Sequence, residues 1–335
     1  MADRKVRWGI VSTANIGMKQ VTPGIMKSPH SEVVALASRS VDKARAALDK
    51  LGLPNARAHG SYEALLADPD VDAIYNPLPN HLHVPITLAA ARAGKHVLSE
   101  KPISITAAEA AELRAAPKDI LIHEAFMVRH HPQWHRAREI IRSGELGRMH
   151  LVRGAFLYYL DDPQNVRNLA DIGGGGLLDI GCYCVISGRY LFEAEPRRVV
   201  ALVDRDPKFK TDRLASVIAD FGDGRHLSFT CGTQTSGRQT VEASGTKASL
   251  EIVIPFNAPA DEKTAILVGT GAQRDLYRRE ILPAIDQYTA QAETFALAVL
   301  GQMKLPYGVE DAISQMKVLD AIFRSEKSGA WENVQ

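Results

Sequence analysis

The sequence predicts an α/β fold in two parts: a doubly wound parallel sheet in the N-terminal third, followed by an α+β domain with a large, mostly antiparallel sheet. The chain has 335 residues, more than a single hydrophobic core usually fills, so two domains are expected. Its first third alternates β-rich runs with helical patterns, which is typical of a parallel sheet. After about residue 126 the rhythm changes and hairpin signals appear. We therefore expect domains at 1–125 and 126–335.

The alternation in the first domain indicates where a ligand would bind. Strands are expected at 6–12, 32–38, 71–76, 96–99 and 120–124. Helices are expected at 16–27, 41–51, 61–67, 83–93 and 107–116. Thr106 and Glu109 have the spacing of a capping box at the start of the last helix. Because ligands of such sheets bind beyond the carboxyl ends of the strands, a cofactor should contact the segments 12–17, 38–40, 76–81 and 100–102.

The second domain should contain a helix at 132–143, a long strand at 149–159, a polar loop and a glycine run. Strands follow, with Asp223-Gly224 suited to a tight two-residue turn, and then two amphipathic helices at 288–301 and 309–328. Helices on one face of the sheet would leave its other face uncovered, and a second copy of the chain is the simplest cover. We therefore expect a homodimer formed through the C-terminal sheet.

Composition limits the classes of partner and compartment. Lys and Arg number 40 against 39 Asp and Glu, and the net charge of +1 gives no electrostatic case for nucleic acid or a membrane surface. The cysteines Cys182, Cys184 and Cys231 are too few for a disulfide framework. The first residues lack the apolar region of a signal peptide, and no run reaches the ~18 apolar residues of a membrane span. A cytoplasmic protein with a small polar substrate is expected.

The segment VRWGIVSTANIG has the strand-turn-helix context of a Rossmann dinucleotide site, but its three glycine positions fall on Ser12, Ala14 and Gly17. Small residues still let the backbone approach a pyrophosphate, and the helix start offers amide groups and a positive dipole end. An ordinary strand-helix turn is the alternative interpretation. The expected cofactor contacts here are Ser12, Thr13, Ala14, Asn15 and Ile16.

The second strand ends in ALASRS, which places Arg39 where an NAD site would show an acidic residue for the ribose hydroxyls. Arg39 can bind an adenine 2′-phosphate instead, helped by Ser38, Ser40 and Lys43, and this pattern favours NADP. The alternative is a solvated surface arginine.

Four motifs together carry a family resemblance: the degenerate fingerprint, NPLPNHLH at 76–83, Glu100-Lys101-Pro102, and GGGGLLDIGCYCV at 173–185. On these residues the chain resembles the glucose-fructose oxidoreductase and inositol dehydrogenase family (Gfo/Idh/MocA) over essentially its whole length. It looks most like the branch of NADP-dependent D-xylose and glucose dehydrogenases, dihydrodiol dehydrogenases and aldose-aldose oxidoreductases, because Tyr183 stands where many members have histidine. The resemblance implies further cofactor-side residues: Asn76, Pro77, Leu78, His81, Glu100, Lys101 and Arg129.

Oxidising an alcohol carbon requires a base at the hydroxyl oxygen and a nicotinamide facing the carbon. Asp179 and Tyr183 are spaced i, i+4 and so share one helix face. A nearby ammonium favours a phenolate, so we assign Tyr183 as the acid/base, Lys101 as its cation and Asp179 as the group that orients a sugar hydroxyl. Each of these residues alone could be structural. Further substrate contacts are expected from Tyr159, Asn165 and Arg167, with an ordinary polar surface loop as the alternative for the last two.

Two other groups suggest a metal, and we expect none. His131 and His135 have i, i+4 spacing without the acidic partner of a zincin motif, and the C-x-C of Cys182 and Cys184 lacks further ligands. The glycine run lacks the lysine of a P-loop, so we expect it to let the backbone pass close to substrate and nicotinamide.

The expected activity is therefore oxidation of the anomeric hydroxyl of an aldose, such as xylose or glucose, to a lactone with NADP. In a variant of this activity the cofactor stays bound, and a second sugar is reduced to an alditol. The alternatives are a trans-dihydrodiol dehydrogenase, an anhydrosugar reductase, or a non-enzymatic NADP-binding sensor.

Overall fold

The computed structural model describes residues 4–271 and 273–335, and the chain divides into two compact units. The first unit takes the described residues up to Met127 together with Asp286–Ile313. The second takes Val128–Ile285 and the residues from Ser314 onward. The expected division after residue 125 thus has a counterpart after Met127, but the segment Asp286–Ile313, which the sequence pattern assigns to the second domain, belongs to the first unit.

Packing explains why Asp286–Ile313 belongs to the first unit. The ring of Phe295 lies 5.4 Å from that of Trp8, and both side chains are fully buried in the core of this unit. Glu293 accepts a hydrogen bond from Ser28 at 2.7 Å. Phe295 is remote in sequence from Trp8, so the local sequence pattern does not predict this contact.

Helices form close to most of the predicted positions. In the described chain they are α1 (Thr22–Lys27), α2 (Val41–Lys50), α3 (Tyr62–Leu66), α4 (His83–Arg92), α5 (Ala107–Glu112), α6 (Pro132–Arg142), α7 (Cys182–Phe192), α8 (Gln287–Val299) and α9 (Val309–Ser328). π-Helical turns precede α1 at Gly17–Val21 and α7 at Leu177–Gly181. The hydroxyl of Thr106 accepts from the amide of Glu109, as the capping box predicts.

The first unit contains a parallel sheet, as predicted. Its strands are β1 (Val6–Val11), β2 (Ser31–Ala37), β3 (Arg57–His59), β4 (Ala73–Asn76), β5 (His96–Ser99) and β6 (Ile122–Glu124). They lie in the order β3-β2-β1-β4-β5-β6, and all neighbouring pairs are parallel. Strand β3 is absent from the sequence analysis because three residues are too short to show an alternating pattern. The strand order reverses beside β1, which marks the switch point where such sheets bind ligands.

The second unit contains the predicted large, mostly antiparallel sheet. Its strands are β7 (Met149–Tyr159), β8 (Arg198–Arg205), β9 (Asp212–Gly222), β10 (Arg225–Gly232), β11 (Gln234–Gly245), β12 (Ser249–Ile252), β13 (Thr264–Gly269), β14 (Arg278–Leu282) and β15 (Glu332–Asn333). Their order is β14-β13-β12-β11-β7-β10-β9-β8-β15, and the pair of β7 and β10 is parallel. The turn of Asp223 and Gly224, with φ of 56° and 71°, joins β9 to β10 as predicted. Helix α7 packs against β7 and β10.

Candidate active site

The turn after β1 compensates for its missing glycines. Ser12 has a left-handed backbone with φ of 71°, a conformation that usually requires glycine, and its hydroxyl accepts a hydrogen bond from the amide of Ala14 at 3.3 Å. Gly17 is the fingerprint position that keeps its glycine. A Cβ there would lie 3.3 Å from the ring of Tyr75 and 3.4 Å from Pro77, so the helix packs tightly on the sheet at this point.

The helix after this turn presents its first amides at the switch point. The amide of Met18 donates to the carbonyl of Ala14 at 3.0 Å, so the amides of Thr13, Asn15 and Ile16 precede the first intrahelical bond. A helix start of this kind binds anions through its amides. The geometry therefore fits the pyrophosphate of a dinucleotide, within the first unit alone.

Two cationic side chains and two serines follow β2, and they differ in exposure and in role. Arg39 and Lys43 are exposed, whereas Ser38 is buried and its amide donates to His59 at 3.1 Å. The hydroxyl of Ser40 caps α2 by accepting from the amide of Lys43. The two cations are thus available to a phosphate, while both predicted serines already have a role in the fold.

The residues after β4 shape a loop whose side chains bind its own backbone. Asn76 is buried. Its side-chain NH₂ group donates to the carbonyl of His83 at 3.2 Å, and its side-chain oxygen accepts from the backbone amide of Leu78 at 3.4 Å. His81, by contrast, is exposed. Asn76 therefore positions the loop of Pro77 and Leu78 and is shielded from solvent itself.

Lys101 is half-buried in a loop that buried polar groups hold on both sides. The carboxylate of Glu100 accepts from the hydroxyl of Tyr75 at 2.7 Å. The ring nitrogens of His83 lie 2.6 Å from the carbonyl oxygens of Leu78 and Pro102, so this ring connects the loops after β4 and β5. Burial lowers the pKa of His83 to about 4, against the influence of the two carbonyls, so at neutral pH the neutral ring donates its one N–H to one of these carbonyls and contacts the other.

Glu124, at the end of β6, completes the support of this loop. Its carboxylate accepts from the amide of Ile103 at 2.8 Å, and the residue is 2 % exposed. Neither Glu124 nor His83 is predicted as a support from the sequence. Each of them is a polar residue in a segment whose other residues are mostly apolar and buried, and this was the signal in the sequence that could have identified them.

In the second unit, Asp179 is the centre of a hydrogen-bonded cluster. Its Oδ2 accepts from the hydroxyl of Tyr158 at 2.6 Å and from Nε of Arg167 at 2.8 Å. The carboxylate raises the pKa of Arg167, and burial together with this carboxylate raises the pKa of Tyr158, so both donors keep their protons. We call Tyr158, Arg167 and Asp179 the carboxylate cluster. It presents charged and hydroxyl groups of the kind that bind sugar hydroxyls.

Tyr183 lies on α7, which continues directly from the turn that bears Asp179. The side chain is 5 % exposed, and its ring centroid lies 5.8 Å from that of Phe156 and 5.6 Å from that of Phe256. These aromatic contacts fix the ring and so restrict where its hydroxyl can point. Lys101 belongs to the first unit and Tyr183 to the second.

Three predicted substrate or cofactor residues lie outside the carboxylate cluster. Tyr159 is 65 % exposed, and its hydroxyl donates to Asp161 at 3.1 Å. Asn165 uses its side-chain oxygen to accept from the amide of Arg167 at 3.1 Å. Arg129 is buried in the turn Met127–His130.

Tyr158 is the member of the cluster that the sequence analysis missed. Successive side chains of a strand point to opposite faces, so Tyr158 and Tyr159 cannot both face Asp179. The sequence prediction names Tyr159, whereas Tyr158 is the tyrosine that binds Asp179.

The histidine and cysteine pairs have structural contacts. Nδ1 of His131 accepts from the amide of Gln133 at 3.1 Å, and Nε2 of His135 donates to the carbonyl of Arg129 at 2.8 Å. Cys182, Cys184 and Cys231 are buried, and burial raises the pKa of the last two thiols. Across residues 4–271 and 273–335, no three metal-binding side chains form a group that could hold an ion, and no helix is long and apolar enough to cross a bilayer.

Known proteins share this organisation. A model for "Oxidoreductase family, NAD-binding Rossmann fold" matches residues 6–119, and a model for "GFO/IDH/MocA C-terminal domain" matches residues 134–251. The chain is 37% identical over 326 residues to the D-xylose 1-dehydrogenase (NADP(+)) 2 of Haloferax volcanii, covering 96% of this chain and 98% of that protein.

Two solved structures resemble the whole chain. A 3-ketoreductase from Actinomadura kijaniata, in complex with NADP and TDP-benzene, matches with a TM-score of 0.89 and 29% identity over 96% of this chain and 98% of its own. The aldose-aldose oxidoreductase from Caulobacter crescentus, complexed with glycerol, matches with a TM-score of 0.89 and 25% identity over 98% of this chain and 100% of its own. Family models match both parts of the chain, and a relative is 37% identical along nearly its whole length. The chain therefore belongs to the Gfo/Idh/MocA family of oxidoreductases.

Proposed function

We propose that this protein is an NADP-dependent oxidoreductase that oxidises the anomeric hydroxyl of an aldose, such as xylose or glucose, to a lactone. The carboxylate cluster is the observation that carries the proposal. A carboxylate fixed by a tyrosine and an arginine has further lone pairs for a sugar hydroxyl, and it lies one turn before Tyr183 on a continuous helix.

In this proposal, different residues bind the cofactor, orient the sugar and transfer the proton. Ser12, Arg39 and the amides at the start of the first helix would hold NADP, which supplies the hydride acceptor when bound. Asp179 accepts a hydrogen bond from a sugar hydroxyl and orients the ring. Tyr183 takes the proton of the anomeric hydroxyl as the C–H bond breaks, and Lys101 stabilises the negative charge that develops on the oxygen. The products are lactone, NADPH and a proton.

Turnover of a substrate panel tests the proposal directly. Pentoses, hexoses, a trans-dihydrodiol and an anhydrosugar are incubated with NADP or NAD, and NADPH or NADH absorbance is followed. Lactone formation from an aldose is the expected result. Turnover of the dihydrodiol or the anhydrosugar alone would assign that substrate class instead, and the absence of any lactone, alditol or absorbance change would favour a sensor.

The absorbance of freshly purified protein separates two versions of the sugar reaction. If NADPH persists through dialysis and is consumed when an aldose is added, the enzyme couples two sugars and reduces one to an alditol. If the protein is free of cofactor and needs added NADP for each turnover, it is a dehydrogenase.

Arg39 is expected to set the preference for NADP. In Arg39→Ser, we expect the ratio of kcat/KM with NADP to kcat/KM with NAD to fall about 100-fold, because a charge-assisted contact with the 2′-phosphate is lost. Steady-state kinetics with both cofactors measures this ratio. Lys50→Ser is the matched control, since Lys50 is an exposed cation at the other end of α2 and should leave the ratio unchanged. An unchanged ratio in Arg39→Ser contradicts the assignment.

We also propose that the open face of the second sheet forms a homodimer. Leu202 on β8 is 79 % exposed and Ile218 on β9 is 46 % exposed, beside a groove of about 610 Å³ that is also lined by Arg153 and Glu242. An apolar strip bordered by both signs of charge can pair with a second copy of itself about a twofold axis.

A single charge on this face should separate the subunits. We expect the wild type to elute as a dimer and Leu202→Asp as a monomer in size-exclusion chromatography with light scattering, because burying an unpaired carboxylate in the interface is strongly unfavourable. Met303→Asp, a change at another exposed apolar side chain outside this sheet, should remain a dimer. A monomeric wild type at micromolar concentration contradicts the proposal.

A further inference from the structure

Contacts within the second unit explain why glycine occupies positions 174 and 175 of the glycine run. A Cβ on Gly175, where φ is 126°, would lie 2.0 Å from Oδ1 of Asp212. A Cβ on Gly174 would lie 2.7 Å from the carbonyl oxygen of Arg167. These glycines are therefore required by the protein's own packing, in addition to the predicted approach of substrate and nicotinamide.

Asp212, the first residue of β9, caps the helix that follows the glycine run. Its Oδ2 accepts from the amide of Leu177 at 2.5 Å, and the residue is 1 % exposed. The carboxyl thus satisfies a helix amide that would otherwise be buried without an acceptor. The cap comes from a neighbouring strand and so connects the helix to the sheet.

The same stretch of backbone also holds Arg167. The amide of Gly175 donates to the carbonyl of Arg167 at 2.9 Å, and the side chain of Arg167 donates to Asp179 at 2.8 Å. Asp212 therefore fixes the backbone between Gly175 and Leu177. This backbone positions both Arg167 and Asp179, the two partners of the ion pair. On this geometry, and resting on the proposed function, we propose that Asp212 is a positioning residue: it fixes the opening turn of the helix so that Asp179 and Tyr183 are aligned for the sugar.

Two charged groups on neighbouring elements, Arg205 and Glu326, act on Asp212. Arg205 is its cross-strand partner on β8, Glu326 on α9 binds Arg205 at 2.7 Å, and Asp179 and Cys231 lie on the helix turn and on β10. Burial raises the pKa of Asp212 to about 7, against the opposing influence of Leu177 and Arg205.

The raised pKa gives the burial of this carboxyl a stability signature. The free carboxyl of an unfolded chain titrates near ~4, so the stabilisation is complete below that pH and is lost as pH rises through about 7. The midpoint Tm of the wild type should therefore fall between pH 5 and pH 8 by more than that of Asp212→Asn, which cannot ionise but keeps an acceptor oxygen of the same shape.

The test compares Asp212→Asn and Asp212→Ala with a matched control, Asp206→Asn. Asp206 is also buried and also caps amides, but those of its own turn, Lys208 and Phe209 at 2.7 and 2.8 Å. In Asp212→Ala we expect kcat/KM for the sugar to fall about 100-fold through misplacement of the helix turn, with the Kd for NADPH unchanged. Asp212→Asn and Asp206→Asn should stay within about threefold of wild type, because each keeps an acceptor in place.

Hydrogen exchange supplies a readout that needs no activity. In Asp212→Ala the amides of residues 174–181 should exchange faster, while those of residues 206–210 are unchanged. If Asp212→Ala does not fold, hydrogen exchange of residues 174–181 in Asp212→Ser, whose shorter side chain cannot keep the 2.5 Å bond to the amide of Leu177, tests the cap instead. The inference is overturned if Asp212→Ala keeps wild-type kcat/KM, if Asp212→Asn loses as much activity as the alanine variant, or if exchange in 174–181 is unaffected. Absence of sugar turnover in the wild type, with the expected exchange pattern, contradicts the proposed function while the cap itself is confirmed.

Discussion

Replacing Tyr183 with phenylalanine is expected to lower kcat for sugar oxidation about 10³-fold while leaving the Kd for NADPH unchanged, because only the acid/base hydroxyl is removed. The phenylalanine ring can keep the contacts with Phe156 and Phe256, at 5.8 and 5.6 Å between ring centroids. The measurements are initial rates from NADPH absorbance and a cofactor titration by fluorescence.

Tyr190→Phe is the matched control for this experiment. Tyr190 is buried on the same helix, with its ring edge-on to Trp134 at 5.7 Å, so the change again removes one hydroxyl from a packed aromatic side chain. Its kcat should remain close to that of the wild type. Undiminished sugar oxidation in Tyr183→Phe would show that another group moves the proton.

The second large effect is expected from Asp179→Asn, which should lower kcat/KM for the sugar about 10²- to 10³-fold. In the wild type, Oδ2 accepts from Tyr158 and Arg167 at 2.6 and 2.8 Å. An asparagine amide carries no charge to balance the guanidinium and presents N–H groups where a sugar hydroxyl needs an acceptor. We expect the loss in both KM and kcat, since a tilted sugar also departs from its reactive alignment.

Asp171→Asn provides the comparison, because Asp171 is an exposed carboxylate shortly before the glycine run. Its substitution should change kcat/KM by less than about twofold, as expected for an exposed surface change. If Asp179→Asn resembles Asp171→Asn, the carboxylate cluster has no part in sugar binding.

Most of the fold could be predicted because its elements repeat a local signal. The parallel sheet follows from strand-helix alternation, and Asp223-Gly224 follows from the left-handed backbone that such a turn requires. The short strand Arg57–His59 and the place of Asp286–Ile313 could not be predicted in this way. Both depend on partners far along the chain, and nothing in their own spacing identifies those partners.

The candidate site shows the same division. Asp179 could be selected from its motif, but Tyr158 could not be preferred over Tyr159 without knowing which face of β7 the helix covers. Asp212 has the pattern of an ordinary polar residue at a strand start, and its contact with Leu177, 35 residues earlier, has no local signal in the sequence. Supports of a site are therefore harder to predict than the groups they support.

The parallel pairing of β7 with β10 in the second sheet bears on where the protein can be cut or extended. Parallel neighbours need a long connection between them, and α7 is part of that connection. A foreign domain inserted between β7 and α7 would disturb the very segment that bears Asp179. The exposed turn of Asp223 and Gly224 joins two adjacent antiparallel strands and carries no site residue. For circular permutation or for attaching a reporter, that turn is the suitable opening in this unit.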